Sequence, residues 1–193
     1  LRVAQQLGSG GQVLKGMPAY LYGFDSGKWR RSRALDDPLK AAGWSAYDSR
    51  RDGYWVNPPP STPNRPGFRF FDPNGEDADG FAGAWSESHG PRKTGGGDGM
   101  GSYDPRSDVV VYTDFRKQPG AVYGVDVRRP ASAAMALELE GDPPELGYAH
   151  GWEWSDLRRA FIYWPRTAGA YVHELRLEGK DWRRNPWRWG PLT

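Results

Sequence analysis

Apolar and polar residues alternate with a period of two in several short stretches, the signature of half-buried strands. AYLYGF at 19–24, rich in aromatics and bounded by Pro18 and Asp25, is a strand signal of another kind. DVVVYTDF at 108–115 and AVYGVDV at 121–127 form a pair joined by a KQPG turn, an interval short enough for a hairpin. AFIYW at 160–164 and AYVHELRLEG at 170–179 continue the strand-like pattern, and FRFF at 68–71 marks a further short element. Helix signals are fewer. In DDPLKAAGW (36–44), Asp36 suits a cap, Pro38 the first turn and Gly43 the stop. Helical turns are also expected at 77–88 and 154–160, and 131–140 (ASAAMALELE) has helix-forming composition that extends equally well as a strand. Residues 48–107, with Pro58–Pro60 and the GGGDGMGS run at 95–102, read as the least regular part, and no internal repeat is evident. The elements predict an α+β domain with mostly antiparallel pairing.

Composition narrows the core. Hydrophobic residues are 37% of the 193, and Gly 26 with Pro 17 make up about 22%, so aliphatic burial is scarce for a globular chain. Ten Trp within 14% aromatics compensate, because each large ring buries far more area than an aliphatic side chain. The expected core is small, aromatic and crossed by long loops. No apolar run approaches a membrane span and no signal-peptide pattern opens the chain, which begins on Leu1 and reads as a fragment or processed form. Three parts are expected: an arm at 1–16, one domain at 17–180 and a basic, Trp-rich arm at 181–193.

The net charge is only +2, yet from Arg158 onward eight basic residues face three acidic ones, a local net of +5. Such a tail serves as a solvated face or attracts an acidic partner. In DWRRNPWRWG, Arg interleaves with Trp, a composition suited either to base stacking with phosphate pairing or to a docked terminal segment. With Cys 0 there are no disulfides, thiol nucleophiles or Cys-based zinc sites, and His89, His150 and His173 lack metal-ligand spacing. No metal site is expected. The GGGDGMGS glycines precede neither a helix pattern nor a Lys-Ser/Thr pair, so a loop is favoured over a phosphate cradle.

An order of pieces then stands out: AYLYGFDSGKW, PLKAAGW, DVVVYTDF, GAVYGVDV and GWEWSDLRRAFIYW. It resembles the ADP-ribosyltransferase toxins of the cholera and pertussis type. The resemblance implies a split β-sandwich of two small antiparallel sheets with peripheral helices and long loops. It also implies NAD as donor substrate and transfer of ADP-ribose to a macromolecule. The target would be a host or competitor molecule, a protein ahead of a nucleic acid. The chain would act as a monomer, without a membrane, secreted or delivered into a target cell.

Carried over position by position, the resemblance puts Glu153 in the catalytic slot, where a carboxylate stabilises the ribosyl cation. Tyr22, Tyr112 and Thr113 fall in NAD-binding slots. Three positions depart from the pattern: Gly23 replaces the pyrophosphate-clamping Arg, Tyr112 the first Ser of Ser-Thr-Ser, and Gly151 the upstream Gln/Glu. Glycine cannot make the bidentate clamp, so Arg30, Arg31 or Arg33, from the loop just after the first strand, would have to supply it. The departures keep open a second reading, a degenerate module of the same fold that binds a peptide or nucleic acid without NAD chemistry. A third, a basic nuclease-like toxin, rests on Glu153, His150 and the arginines.

Overall fold

The computed structural model describes residues 2–4, 19–23, 26–32, 44–57, 68–86, 99–113, 121–130, 132–146, 151–165 and 171–193. Among them the chain is all-β. The α+β expectation with peripheral helices is therefore corrected: strands, turns and bends account for the regular structure, with no helix. Four sheets follow one another in sequence. Sheet I holds β1 (Arg2–Ala4), β2 (Ala19–Gly23) and β3 (Lys28–Ser32). Sheet II holds β4 (Trp44–Asp48), β5 (Gly53–Asn57), β6 (Arg69–Glu76) and β7 (Ala82–Trp85). Sheet III holds β8 (Gly101–Asp104), β9 (Val109–Thr113), β10 (Val122–Asp126) and β11 (Met135–Ala136). Sheet IV holds β13 (Gly151–Ser155), β14 (Ala160–Trp164), β15 (His173–Leu177) and β16 (Trp187–Pro191), with β12 (Leu139–Glu140) added in parallel beside β16.

Sheets II, III and IV are each an antiparallel meander in chain order. Their first strands lie side by side, β4 next to β8 and β8 next to β13. Successive four-stranded meanders with neighbouring inner strands are how propeller blades are set. The segment 135–140 straps two sheets together: β11 pairs with β10 in sheet III and β12 with β16 in sheet IV. Leu137 N donates to Val122 O at 2.9 Å, and Trp187 N donates to Glu138 O at 2.8 Å.

Packing between sheets explains the local sequence. Along β9 every residue is buried. Val110 and Tyr112 face Trp44, Ala46, Trp55 and Phe68 of sheet II. Val109 and Val111 face Trp152, Phe161, Leu175 and Trp187 of sheet IV. A strand covered on both faces must be a continuous apolar run, and VVVYT is one. Large rings fill the gaps that scarce aliphatics leave. Trp55 stacks on Phe68 at 4.9 Å and Trp152 on Phe161 at 5.0 Å. Where the rings press on backbone, only glycine fits: a Cβ on Gly101 would lie 2.3 Å from the Trp44 ring.

The expected helical pieces have a common physical reason to be strand or turn. Ala82–Trp85 within 77–88 pairs with β6, residues 156–159 form the β13–β14 hairpin loop, and 131–140 contributes β11 and β12. In the first and last, a neighbouring strand satisfies the backbone, and in the loop Ser155 takes the N–H groups of Arg158 and Arg159, so tertiary pairing and turn closure outweigh weak helix propensity. The expected helix at 36–43 lies outside the described residues. Residues 48–107, read as irregular, contain β5 to β8.

Candidate binding surface

The first hairpins of sheets II, III and IV are built alike. Each closes a four-residue loop below a terminal pair: Asp48↔Gly53, Asp104↔Val109 and Ser155↔Ala160. The last loop residue is left-handed in all three, with φ of 50° at Asp52, 55° at Asp108 and 53° at Arg159. These are the only non-glycine positive-φ residues among those described. A side-chain oxygen at the strand end caps each loop. Asp48 Oδ1 accepts Arg50 N at 2.9 Å and Arg51 N at 3.1 Å. Asp104 Oδ1 accepts Arg106 N at 2.8 Å, and Ser155 Oγ accepts Arg158 N at 3.2 Å. Local side-chain acceptors of this kind fix a turn by taking backbone donors the ladder cannot reach.

These loops lie at one end of the sheets, where charge is organised in depth. Asp48, Asp104, Asp108 and Asp126 are all buried. Arg51 reaches from sheet II to sheet III: its Nη1 donates to Asp48 Oδ2 at 2.6 Å and Asp108 Oδ1 at 2.8 Å, and its Nη2 to Asp108 Oδ2 at 3.0 Å. The Tyr103 hydroxyl donates to the same Asp108 Oδ1 at 2.7 Å. The Arg51 hydrogen bonds hold the Asp108 carboxyl below its usual range against the upward pull of burial. Burial, with the bond to Asp108, raises the Tyr103 phenol. Asp126 ties sheet III to sheet IV, accepting from Arg128 Nε at 2.9 Å and from Arg183 Nη2 at 2.6 Å. Burial pushes its carboxyl up, but the Arg128 bonds and the two guanidinium charges outweigh that and leave it lowered. At Asp104 burial outweighs the hydrogen bonds from Ser107 and from the Arg106 backbone N–H, and raises the carboxyl.

Above this acidic layer the outer residues are basic. Arg106, Arg129 and Arg159 are exposed, and their guanidinium groups make no hydrogen bond or ion pair to a carboxylate among the described residues. Arg50 sits at the position equivalent to Arg106 and approaches Asp108 only to 3.9 Å. The side chain of Arg184 is 87% exposed. Exposed acids at this end are engaged in turns: Asp52 accepts from the Tyr47 hydroxyl and Asn74, Asp156 from Trp154 Nε1, and Asp181 from Arg183 N. The β6–β7 hairpin of sheet II, with Asp72, Asp77 and Asp79, bounds the basic area on one side. The C-terminal segment contributes to it while packing its rings: Trp182, Trp187 and Trp189 are buried, whereas Arg183, Arg184 and Arg188 reach solvent.

The residues singled out from sequence fall on three different sheets. Glu153 is on β13 of sheet IV, exposed, and its Oε1 accepts from Ser102 Oγ at 2.8 Å and from Trp154 N at 3.2 Å. Tyr22 is on β2 of sheet I, paired in register with Val3 and Trp29. Arg30, on β3, donates to Glu76 of sheet II at 2.5 Å, and Arg31 donates to Ser32 O at 3.2 Å. Tyr112 and Thr113 are in the middle of the packed array on β9. Tyr112 stacks on Trp44 at 4.9 Å and on Tyr123 at 5.4 Å. Thr113 is fully buried and its Oγ1 accepts Met100 N at 3.1 Å. Among the described residues no group of three or more His, Asp or Glu could hold a metal ion, and no helix is long and apolar enough to cross a membrane. The sequence reading missed the hairpin residues Arg51, Asp108, Asp126 and Arg106. A signal was present: YDSRRD at 47–52 and YDPRSD at 103–108 share four of six positions. No protein-family model, curated protein or solved structure matches the chain.

Proposed function

We propose that this chain is a non-catalytic binding scaffold whose hairpin end holds the phosphate backbone of a nucleic acid. The observation that carries this reading is the exposed set Arg106, Arg129 and Arg159, joined by Arg50 at 3.9 Å from Asp108, standing over the buried carboxylates Asp48, Asp108 and Asp126, which Arg51, Arg128 and Arg183 neutralise. Guanidinium groups without a protein carboxylate suit phosphate oxygens, which they bind with two parallel hydrogen bonds. Trp55, Trp152 and Trp182 near this end are used in the core and the exposed Tyr47 is tied to Asp52, so the contact is to backbone rather than bases and is sequence-independent. Transfer of ADP-ribose has less support. The all-β fold removes the sandwich that the toxin resemblance implied, and the residues assigned to the NAD site sit on separate sheets with Thr113 sealed in the core.

The test is fluorescence anisotropy with a labelled DNA duplex and, in parallel, a labelled polyglutamate of equal charge. Charge reversal of Arg106 and Arg159 to Glu should abolish duplex binding, and neither wild type nor variant should consume NAD. Equal affinity for polyglutamate would assign the surface to an acidic protein instead. NAD consumption lost in Glu153→Ala would restore the enzyme reading.

A further inference from the structure

Sheets II and III enclose a small cavity lined by Trp44, Asn57, Phe68, Tyr112, Val125 and Ser132, with a volume of about 10 Å³. Trp44 and Asn57 are directly opposite each other on β4 and β5. Both are almost wholly buried, at 5% and 3% exposure. The Trp44 indole Nε1 and the Asn57 amide Nδ2 are donors with no hydrogen-bond partner among the described residues. A buried donor left unsatisfied is costly, so two such donors on residues lining one cavity call for an acceptor within it.

The repeat shows why the need arises in sheet II. Counting from the hairpin caps Asp48 and Asp104, 56 residues apart, Trp44 corresponds to Met100 and Asn57 to Thr113. In sheet III the pair is self-sufficient: Thr113 Oγ1 accepts Met100 N at 3.1 Å, and Thr113 N donates to Met100 O at 2.9 Å. In sheet IV, counting from Ser155, the corresponding pair is Gly151 and Trp164, whose ring lies over the glycine. Only sheet II places two side-chain N–H donors at this position.

We infer that one water molecule is bound here as an integral part of the interface between sheets II and III. The volume matches a single water, which needs about 10–15 Å³ and two to four polar partners. Its oxygen accepts from Trp44 Nε1 and Asn57 Nδ2, and the Ser132 hydroxyl, on the sheet III side, takes one of its hydrogens. The water thereby links β4 and β5 to the segment after β10.

A high-resolution crystal structure of the chain, native and bromide-soaked, tests this. The expected result is a peak about 3 Å from both nitrogens with no anomalous bromide signal. An anomalous peak there would make the occupant a halide, and a dry cavity would overturn the site altogether. In solution, magnetic relaxation dispersion should count one fewer long-lived water in Asn57→Leu than in wild type. An unchanged count would refute the assignment, and should that variant not fold, the native crystal alone decides.

Discussion

Arg51 shows how much one side chain can hold. It sits one-third exposed, yet it neutralises two carboxylates, Asp48 and Asp108, whose own side chains are 0% and 8% exposed. Removing one partner of such a set leaves buried charge uncompensated, which costs about 3–5 kcal/mol. Arg51→Met should therefore lower the urea midpoint by the equivalent of about 3 kcal/mol, and adding Asp108→Asn should recover part of the loss. Arg51→Lys should fall between, because an ammonium cannot make the two-pronged contact with Asp108. The same residues set the acid limit. Asp108 and Asp126 titrate below their unfolded values in the native state. Their stabilisation is complete above the unfolded carboxyl range, about pH 4, and is lost as pH falls through the lowered native values. Asp104 acts oppositely, since its raised carboxyl favours the fold when protonated. With two lowered groups against one raised, the thermal midpoint should stay level from neutral pH to about 5 and fall below about 4, less steeply in Arg51→Met.

The hairpin is the element that repeats. Its left-handed last residue is Asp in sheets II and III and Arg in sheet IV. A left-handed conformation costs an ordinary residue about 1 kcal/mol that glycine avoids. Arg159→Gly should raise stability by up to about 1 kcal/mol while weakening polyanion binding, an opposition that melting and binding curves on one variant would display. At the other end of β8, Gly101→Ala should destabilise by about 1–3 kcal/mol through overpacking on Trp44. Strands were the legible elements. AFIYW at 160–164 coincides with β14, and the 108–127 hairpin with β9 and β10, because each is long in apolar residues and bounded by turn formers. The helical expectations failed where the only cue was composition. ASAAMALELE, whose composition suited helix or strand, lies between two sheet edges and supplies a short partner strand to each. The repeat was obscured because its spacing changes from 56 to 51 residues between Asp48, Asp104 and Ser155, and because the third copy exchanges Asp for Ser.

For the whole molecule, four consecutive sheets joined face to face leave a hairpin end whose inner layer is acidic and outer layer basic. The net charge of +2 conceals this, since the 24 acidic and 26 basic residues nearly cancel in number while the two signs separate in depth at this end. The excess of basic residues after Arg158 was visible in sequence, whereas the docking of its Trp residues was one of two readings the composition left open. The contribution of Arg50, Arg106 and Arg129 was not, because only the fold brings those distant loops to one end. The resemblance to a toxin family rested on strand order alone, which many antiparallel folds share. The salt dependence of duplex affinity tests the binding surface most directly. Each phosphate neutralised contributes a slope of about −0.9 in log K against log salt. Wild type should show a slope near −3 to −4, and the combined change of Arg50, Arg106, Arg129 and Arg159 to Ala should bring it close to zero. A wild-type affinity independent of salt, or a slope unchanged by the four substitutions, would contradict the assignment of this end as the nucleic-acid surface.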